Sequence, residues 1–227
     1  MKLTYPMMLA AVAAVVAAPI LFAGPAAAAP FIKVCNNGSL AGTPNCPANP
    51  PIGPAPAQWG CTLDKATMLL WEVKTPGAPR QFSAVYTNYD STVLPQMPGG
   101  KKPTLADINA QTNSVGYRNA VNGMGLCKRH TWAIPTFAQL NSIVRPTTSP
   151  AIDTVFFPEM TWGLLPAFPT ISSTTTPGSV VNFNGITFAN GKLFMWQRSK
   201  GAFIRLVTCW TTPCVKPQDD GDIHNPG

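Results

Sequence analysis

Residues 131–146 read TWAIPTFAQLNSIVRP and contain the clearest helix signal in the chain. Thr136 and Gln139 have the spacing of a capping box, in which each side chain hydrogen-bonds the main-chain N–H of the other residue at the start of a helix. Apolar residues then recur on one face from 137 to 144, and Pro146 ends the pattern. The stretch therefore predicts a short amphipathic helix with a defined first turn.

Shorter signals upstream add a second helix and a strand. Trp132 is expected to bury its ring, and Pro135 to fix the path of the chain at the helix entrance. Residues 67–73 form an apolar run typical of a buried strand. Thr104 and Asp107 are spaced to cap another helix, whose apolar side is intermittent.

Strand signals dominate the last third of the chain. Asn184-Gly185 suits a type I′ turn and predicts a hairpin between the runs on either side of it. Asn190-Gly191 predicts a second turn. The strands expected from these signals are residues 180–183, 186–188, 193–196 and 202–207.

The first residues have the three parts of a secretory signal peptide. Lys2 is the only charge in the first 32 residues, an apolar run covers residues 7–23, and small residues follow up to a cleavage site before Ala29. The competing interpretation is a membrane anchor, but the run has 17 residues where a spanning helix needs about 20. Residues 1–28 are therefore predicted to be removed, and the mature protein to be secreted into an extracellular or periplasmic space.

The mature chain divides by composition. Residues 29–60 are proline-rich and carry no charge after Lys33, so we expect an arm that is either laid over the domain or held out as a linker. Residues 61–210 are expected to form the folded domain. Residues 211–227, with three aspartates, are expected to be a flexible tail.

All six cysteines lie in the mature part, which in an exported chain predicts three disulfides. Proximity favours Cys35–Cys46 and Cys209–Cys214, and leaves Cys61–Cys127 to link distant parts of the domain. Metal binding is the alternative, but there is no C-x-x-C pair and the chain has only two histidines. No metal or cofactor is therefore expected.

The order of these pieces resembles the Lcl C-terminal domain family, named for a bacterial collagen-like adhesin. The resemblance implies an α+β, C-type-lectin-like fold in which two helices pack on short, mostly antiparallel strands, stapled by disulfides. Ala133 and Ile171 stand where the family usually has Arg and Trp. The matching motifs are MLLW at 68–71, TWAIPT at 131–136 followed by QL at 139–140, PAID at 150–153 with FP at 157–158, TISST at 170–174 and IRLV at 204–207.

The charge favours an anionic partner. The chain has a net charge of +7, although charged residues make up only 11 % of it against a typical figure of about 25 %. Acidic polysaccharide, lipid headgroups and nucleic acid all suit a basic exported protein, while the alternative is that the charge only aids solubility. The candidate ligand contacts are Lys101, Lys102, Lys128, Arg129, His130, Trp196, Arg198 and Lys200.

The sequence lacks the usual catalytic patterns. It has no G-x-S-x-G elbow, no phosphate-binding loop and no close carboxylate pair. We therefore expect a non-catalytic binding or adhesion module whose partner is an anionic glycan or another surface polymer. The alternative is a structural subunit of a filament or surface appendage, whose partners would be copies of itself or other appendage subunits.

Overall fold

The computed structural model describes residues 30–77, 79–158 and 169–211. Within them the chain forms two antiparallel sheets and a few short helices, which confirms the expected α+β architecture. The predicted signal peptide and nearly all of the predicted tail lie outside the described residues. No helix in the described ranges is long and apolar enough to cross a membrane.

The first sheet has four strands in the order β1-β2-β3-β7, and each neighbouring pair is antiparallel. The predicted strand at 67–73 is its third member. The strands are β1 (Phe31–Cys35), β2 (Trp59–Asp64), β3 (Leu69–Glu72) and β7 (Val207–Cys209).

The second sheet has three strands in the order β4-β5-β6, again antiparallel. They are β4 (Thr170–Thr175), β5 (Asn182–Thr187) and β6 (Lys192–Gln197). The Asn190-Gly191 turn is confirmed, because it lies in the connection between β5 and β6.

The hairpin predicted at Asn184-Gly185 is wrong. Both residues lie inside β5, where Gly185 pairs with Ile171 on one side and Phe194 on the other. A Cβ on Gly185 would lie 2.7 Å from the Thr170 carbonyl oxygen, far closer than such atoms normally approach. Gly185 is therefore required for close strand packing rather than for a turn.

The last predicted strand, residues 202–207, is also corrected. Only its final residue belongs to β7, because the segment crosses between the sheets. Phe203 bridges to Thr170 in the second sheet, while the Leu206 carbonyl accepts a hydrogen bond from Glu72 N in the first. Residues 202–206 are all buried, which explains why they resemble a strand in sequence.

Three α-helices are present in the described residues, because the first predicted helix is split. They are α1 (Leu105–Asn109), α2 (Ser114–Met124) and α3 (Phe137–Ser142). Short 3-10 turns cover Pro98–Gly100 and Leu126–Lys128. The capping box predicted at Thr136 is formed, and the cap predicted at Thr104 is a capping box as well. The split occurs where buried Asn113 hydrogen-bonds the main chain at Tyr89 and Ile108.

The arm lies against the domain. Its first residues form β1, and Asn36 Nδ2 donates hydrogen bonds to three carbonyls between residues 53 and 58, so the proline-rich loop folds back on itself. The Cys35–Cys46 and Cys61–Cys127 disulfides are both present. Cys209 is disulfide-bonded as well, and its predicted partner Cys214 lies outside the described residues.

The core has two apolar clusters, one on each face of the first sheet. Trp132 lies in the first, with 2 % of its surface exposed, and its indole N–H donates to the Leu126 carbonyl. Leu140 of α3 lies in the second with Trp71. The motif at 131–140 therefore spans both clusters and joins them.

Candidate ligand-binding surface

Lys128, Arg129 and His130 form one turn, called the basic turn below, in which Lys128 and His130 are exposed and Arg129 is half-buried. The turn follows α2 and begins directly after Cys127, whose disulfide with Cys61 links it to β2. Cys127 and Lys128 both adopt left-handed backbone conformations, with φ of +50° and +60°. Residues other than glycine rarely adopt this region, so the disulfide and the surrounding contacts hold the turn in one shape.

Arg129 makes two contacts with Trp210. Its Nη2 donates a hydrogen bond of 2.8 Å to the Trp210 carbonyl, and the guanidinium carbon lies 5.1 Å from the centre of the Trp210 ring. A guanidinium group has five N–H donors, of which this bond uses one. Arg129 is therefore oriented by the fold and still able to bind an anion.

His130 packs across Gly125, the residue that ends α2. Its Nδ1 donates to the Asn122 carbonyl at 2.7 Å, since a carbonyl oxygen can only accept. A Cβ at position 125 would lie 2.6 Å from the imidazole, so glycine leaves room for the ring. With Nδ1 as the donor, Nε2 is an acceptor in the neutral ring and can donate to an anion only in the protonated ring.

A groove of about 490 Å³ opens beside the basic turn. Its lining comes from three parts of the chain: the arm (residues 36–37, 52–54, 56 and 58), residues 75–77 and 79–80, and residues 124–126 with Lys128. The arm touches the turn here, because a Cβ on Gly38 would lie 3.3 Å from the Lys128 side chain. The apolar lining comes from Ile52, Pro54, Pro56, Pro76, Pro79 and Met124.

The other predicted contacts lie on separate parts of the fold. Lys101 and Lys102 are exposed on the loop after the Pro98–Gly100 turn. Trp196 and Lys200 lie at the end of β6, where the Lys200 ammonium is 5.8 Å from the centre of the half-buried indole. The structure therefore brings residues 128–130 together in one turn and places Lys101, Lys102, Trp196 and Lys200 elsewhere.

Arg198 is withdrawn from the predicted surface. Its exposed fraction is 1 %, and its Nη1 donates to the Asn88 carbonyl and, at 2.7 Å, to an Asp90 carboxylate oxygen. The guanidinium group instead joins the end of β6 to the loop at 88–90. The sequence could not reveal this, because the ion-pair partner Asp90 lies 108 positions away along the chain.

Three more basic residues counted in the sequence are buried, around Glu72. Lys74 Nζ lies 3.1 Å from a Glu72 carboxylate oxygen and 2.8 Å from the Tyr117 hydroxyl. The Tyr117 hydroxyl also donates to Glu72. Arg205 donates to the Glu72 carbonyl, and Arg80 donates to the carbonyls of Gly60 and Val73. These cations serve the core, so the accessible positive charge is smaller than the sequence count.

Burial changes the protonation chemistry of this cluster. Desolvation lowers the pKa of Lys74 from 10.5 to about 8, although Glu72 opposes the change. Desolvation likewise lowers the pKa of Arg205 to about 10. Burial and the Glu72 charge raise the pKa of Tyr117 well above its usual value. The arrangement is a closed ionic network between β3, α2 and the segment leading into β7.

The groove and the Glu72 network were not predicted from the sequence. The groove is formed by the folding of the arm onto the domain, which no local motif indicates. The Glu72 network had one visible signal, the pair of opposite charges two residues apart at the end of an apolar strand. In the described ranges, no group of three or more His, Cys, Asp or Glu side chains is arranged to hold a metal ion.

A family model described as the Lcl C-terminal domain matches residues 60–208. The chain therefore belongs to the Lcl C-terminal domain family, and membership indicates a surface-related domain. The match begins at the end of the arm, so the groove-lining residues of the arm lie outside the matched region. No curated protein matches the chain, and no solved structure does.

Proposed function

We propose that this protein is an exported, non-catalytic binding or adhesion module that holds an anionic polymer, with acidic polysaccharide the leading candidate, at the basic turn. The observation that carries the proposal is the fixed geometry of Lys128, Arg129 and His130. A disulfide and two left-handed residues fix the backbone of the turn, and the contact with Trp210 orients the Arg129 guanidinium group. Preorganised cations lose less conformational freedom on binding than mobile ones.

The chemistry of the turn suits sulfate or carboxylate groups. Arg129 offers a planar fork of donors, while Lys128 supplies a mobile point charge on the rim of the groove. The apolar residues that line the groove together with Lys128 would support the flatter face of a sugar ring. The ligand would then be held by charge at the turn and by van der Waals contact in the groove.

The test is retention of the mature, disulfide-bonded protein on immobilised heparin over a series of salt concentrations. Retention should fall steeply with salt, because screening reaches about 8 Å at physiological ionic strength. Lys128→Ser should elute earlier than the unchanged protein. Lys65→Ser is the matched control, because Lys65 is exposed on the β2–β3 connection and does not line the groove. Lys33 is a poorer control, since its ammonium lies 4.4 Å from the Trp59 ring.

Three outcomes would count against the proposal: no retention at low salt, retention that salt does not weaken, or equal effects of Lys128→Ser and Lys65→Ser. Binding to anionic vesicles or to nucleic acid but not to heparin would support the basic turn as the binding site and would show that its ligand is not an acidic polysaccharide. The alternative function, a structural subunit of a filament or appendage, requires contact between copies of the chain. The edge strand β6 suits such a contact.

A further inference from the structure

Three of the four sheet edges are closed by other parts of the chain. The two sheets end in β1, β7, β4 and β6. Unpaired edges are templates for association, and native proteins usually protect them. On β1, Ala41 N donates to the Lys33 carbonyl, and on β7, Ala133 and Val207 each donate to the other's carbonyl. On β4, Ile171 N donates to the Phe203 carbonyl and Ser173 N donates to the Pro135 carbonyl.

The fourth edge, β6, lacks this protection. Across the described ranges, no main-chain hydrogen bond from outside β5 reaches residues 193–195. Leu193 is 56 % exposed and Met195 is 62 % exposed, and both project from the same face of the strand. The β5–β6 ladder runs without a bulge, and β6 contains no proline. Among the described residues, none of the usual devices that prevent edge pairing acts on the middle of this strand.

We propose that β6 pairs with β6 of a second copy of this chain, antiparallel and around a two-fold axis at Phe194. In that register Leu193 of each copy lies opposite Met195 of the other, so two identical apolar contacts form. The run 193–197 carries no charge, whereas the whole chain carries +7, so this strand is a place where two copies can approach without strong repulsion.

The same register avoids a clash of like charges. Lys192 lies opposite residue 196 of the second copy rather than opposite its Lys192, and like charges directly opposite would destabilise a ladder. The pairing also joins the two three-stranded sheets into one continuous sheet. A contact based on one short strand is small, so the dimer should be weak and should form as the protein concentration rises.

Sedimentation velocity of the mature protein over a wide concentration range provides the first test. The unchanged protein should pass from monomer to dimer, and Met195→Lys should move the midpoint to concentrations at least about tenfold higher. Leu105→Lys is the matched control, because Leu105 is 66 % exposed and lies on α1. A monomer at every concentration, or a dimer that Met195→Lys leaves unchanged, would overturn the proposal.

A cross-linking experiment tests the register itself. A mixture of the Leu193→Cys and Met195→Cys proteins should form a disulfide-linked dimer on mild oxidation, seen on a non-reducing gel. Each variant alone should cross-link much less, because identical positions do not face each other in this register. Equal cross-linking of the separate variants and the mixture would overturn the two-fold axis at Phe194. Neither test depends on the proposed binding of an anionic polymer, so the two proposals can fail separately.

Discussion

The guanidinium group of Arg129 lies 5.1 Å from the centre of the Trp210 ring and donates a 2.8 Å hydrogen bond to the same residue's carbonyl. Trp210 N in turn donates to the Met68 carbonyl, next to β3. The basic turn is thus tied to the end of β7 and to the central sheet. One residue serves both the candidate ligand surface and the fold.

Arg129→Ser should therefore lower the free energy of unfolding by about 1–2 kcal/mol, since a hydrogen bond from a charged group and a cation–π contact are both lost. Lys128→Ser should leave the melt unchanged, because Lys128 is exposed. Chemical denaturation of the two single variants checks this, and equal stability of both would show that the Trp210 contact contributes nothing.

Trp132→Ala should destabilise the domain by about 3–5 kcal/mol, because the ring is almost fully buried and a large cavity would remain. The lost indole N–H bond to Leu126 adds to this cost. Trp210→Ala is the comparison, because Trp210 is only partly buried. A melting temperature for Trp132→Ala equal to that of the unchanged protein would remove Trp132 from the core.

Local motifs with a short-range mechanism could be predicted from the sequence. The Thr136–Gln139 capping box needs only residues three apart, and it forms as expected. The pairing of Cys61 with Cys127 followed from assigning nearby cysteines to each other first. These features depend on spacing along the chain, which the sequence states directly.

Features that depend on distant neighbours could not be predicted. Asn184-Gly185 has the composition of a turn, yet a strand on each side of it makes it the centre of a sheet. Arg198 reads as a surface residue until Asp90, more than 100 positions away, is placed beside it. The groove beside Lys128 requires the arm to fold back, a tertiary event with no local signal.

Gly185→Ala should destabilise the protein by more than the usual surface substitution, because the new methyl group would meet the Thr170 carbonyl at 2.7 Å. The change separates β4 from β5 and disturbs the core around Phe183. Gly123→Ala is a suitable control, since nothing lies within 4 Å of that position and alanine favours a helix by up to about 1 kcal/mol. Thermal melts should move in opposite directions, and a neutral Gly185→Ala would contradict the close packing of β4 on β5.

Replacing Cys61 and Cys127 together by serine should cost roughly 4 kcal/mol in the chain-entropy model, because the bond closes a loop with a sequence separation of 66 residues. The same change should loosen the basic turn and weaken heparin retention, measured at a temperature where the variant is still folded. The Cys35–Cys46 bond closes a much shorter loop, so replacing both of these cysteines by serine should cost less. A larger loss from the shorter loop would show that loop entropy is not the main contribution.

Glu72 is the last test, because it is the carboxylate that balances several buried cations. Glu72→Gln should cost at least about 3 kcal/mol, since it leaves Lys74 and Arg205 buried without a counter-charge. Lys74→Met should cost less. In that variant Arg205 still balances the Glu72 carboxylate, and the desolvated ammonium group is gone.

The pH dependence separates this explanation from simple repacking. The folded pKa of Lys74 is about 8 and its ordinary value is 10.5, so between these values the unfolded chain binds more protons and the free energy of unfolding should rise with pH. Above about pH 10 the raised pKa values of Tyr86 and Tyr117 reverse the sign, because the unfolded tyrosines lose their protons first. Urea denaturation from pH 7 to 11 should show the rise in the unchanged protein and not in Lys74→Met. A rise that persists in Lys74→Met would show that another group causes it, and a Glu72→Gln variant no less stable than Lys74→Met would show that Glu72 does not compensate this cluster.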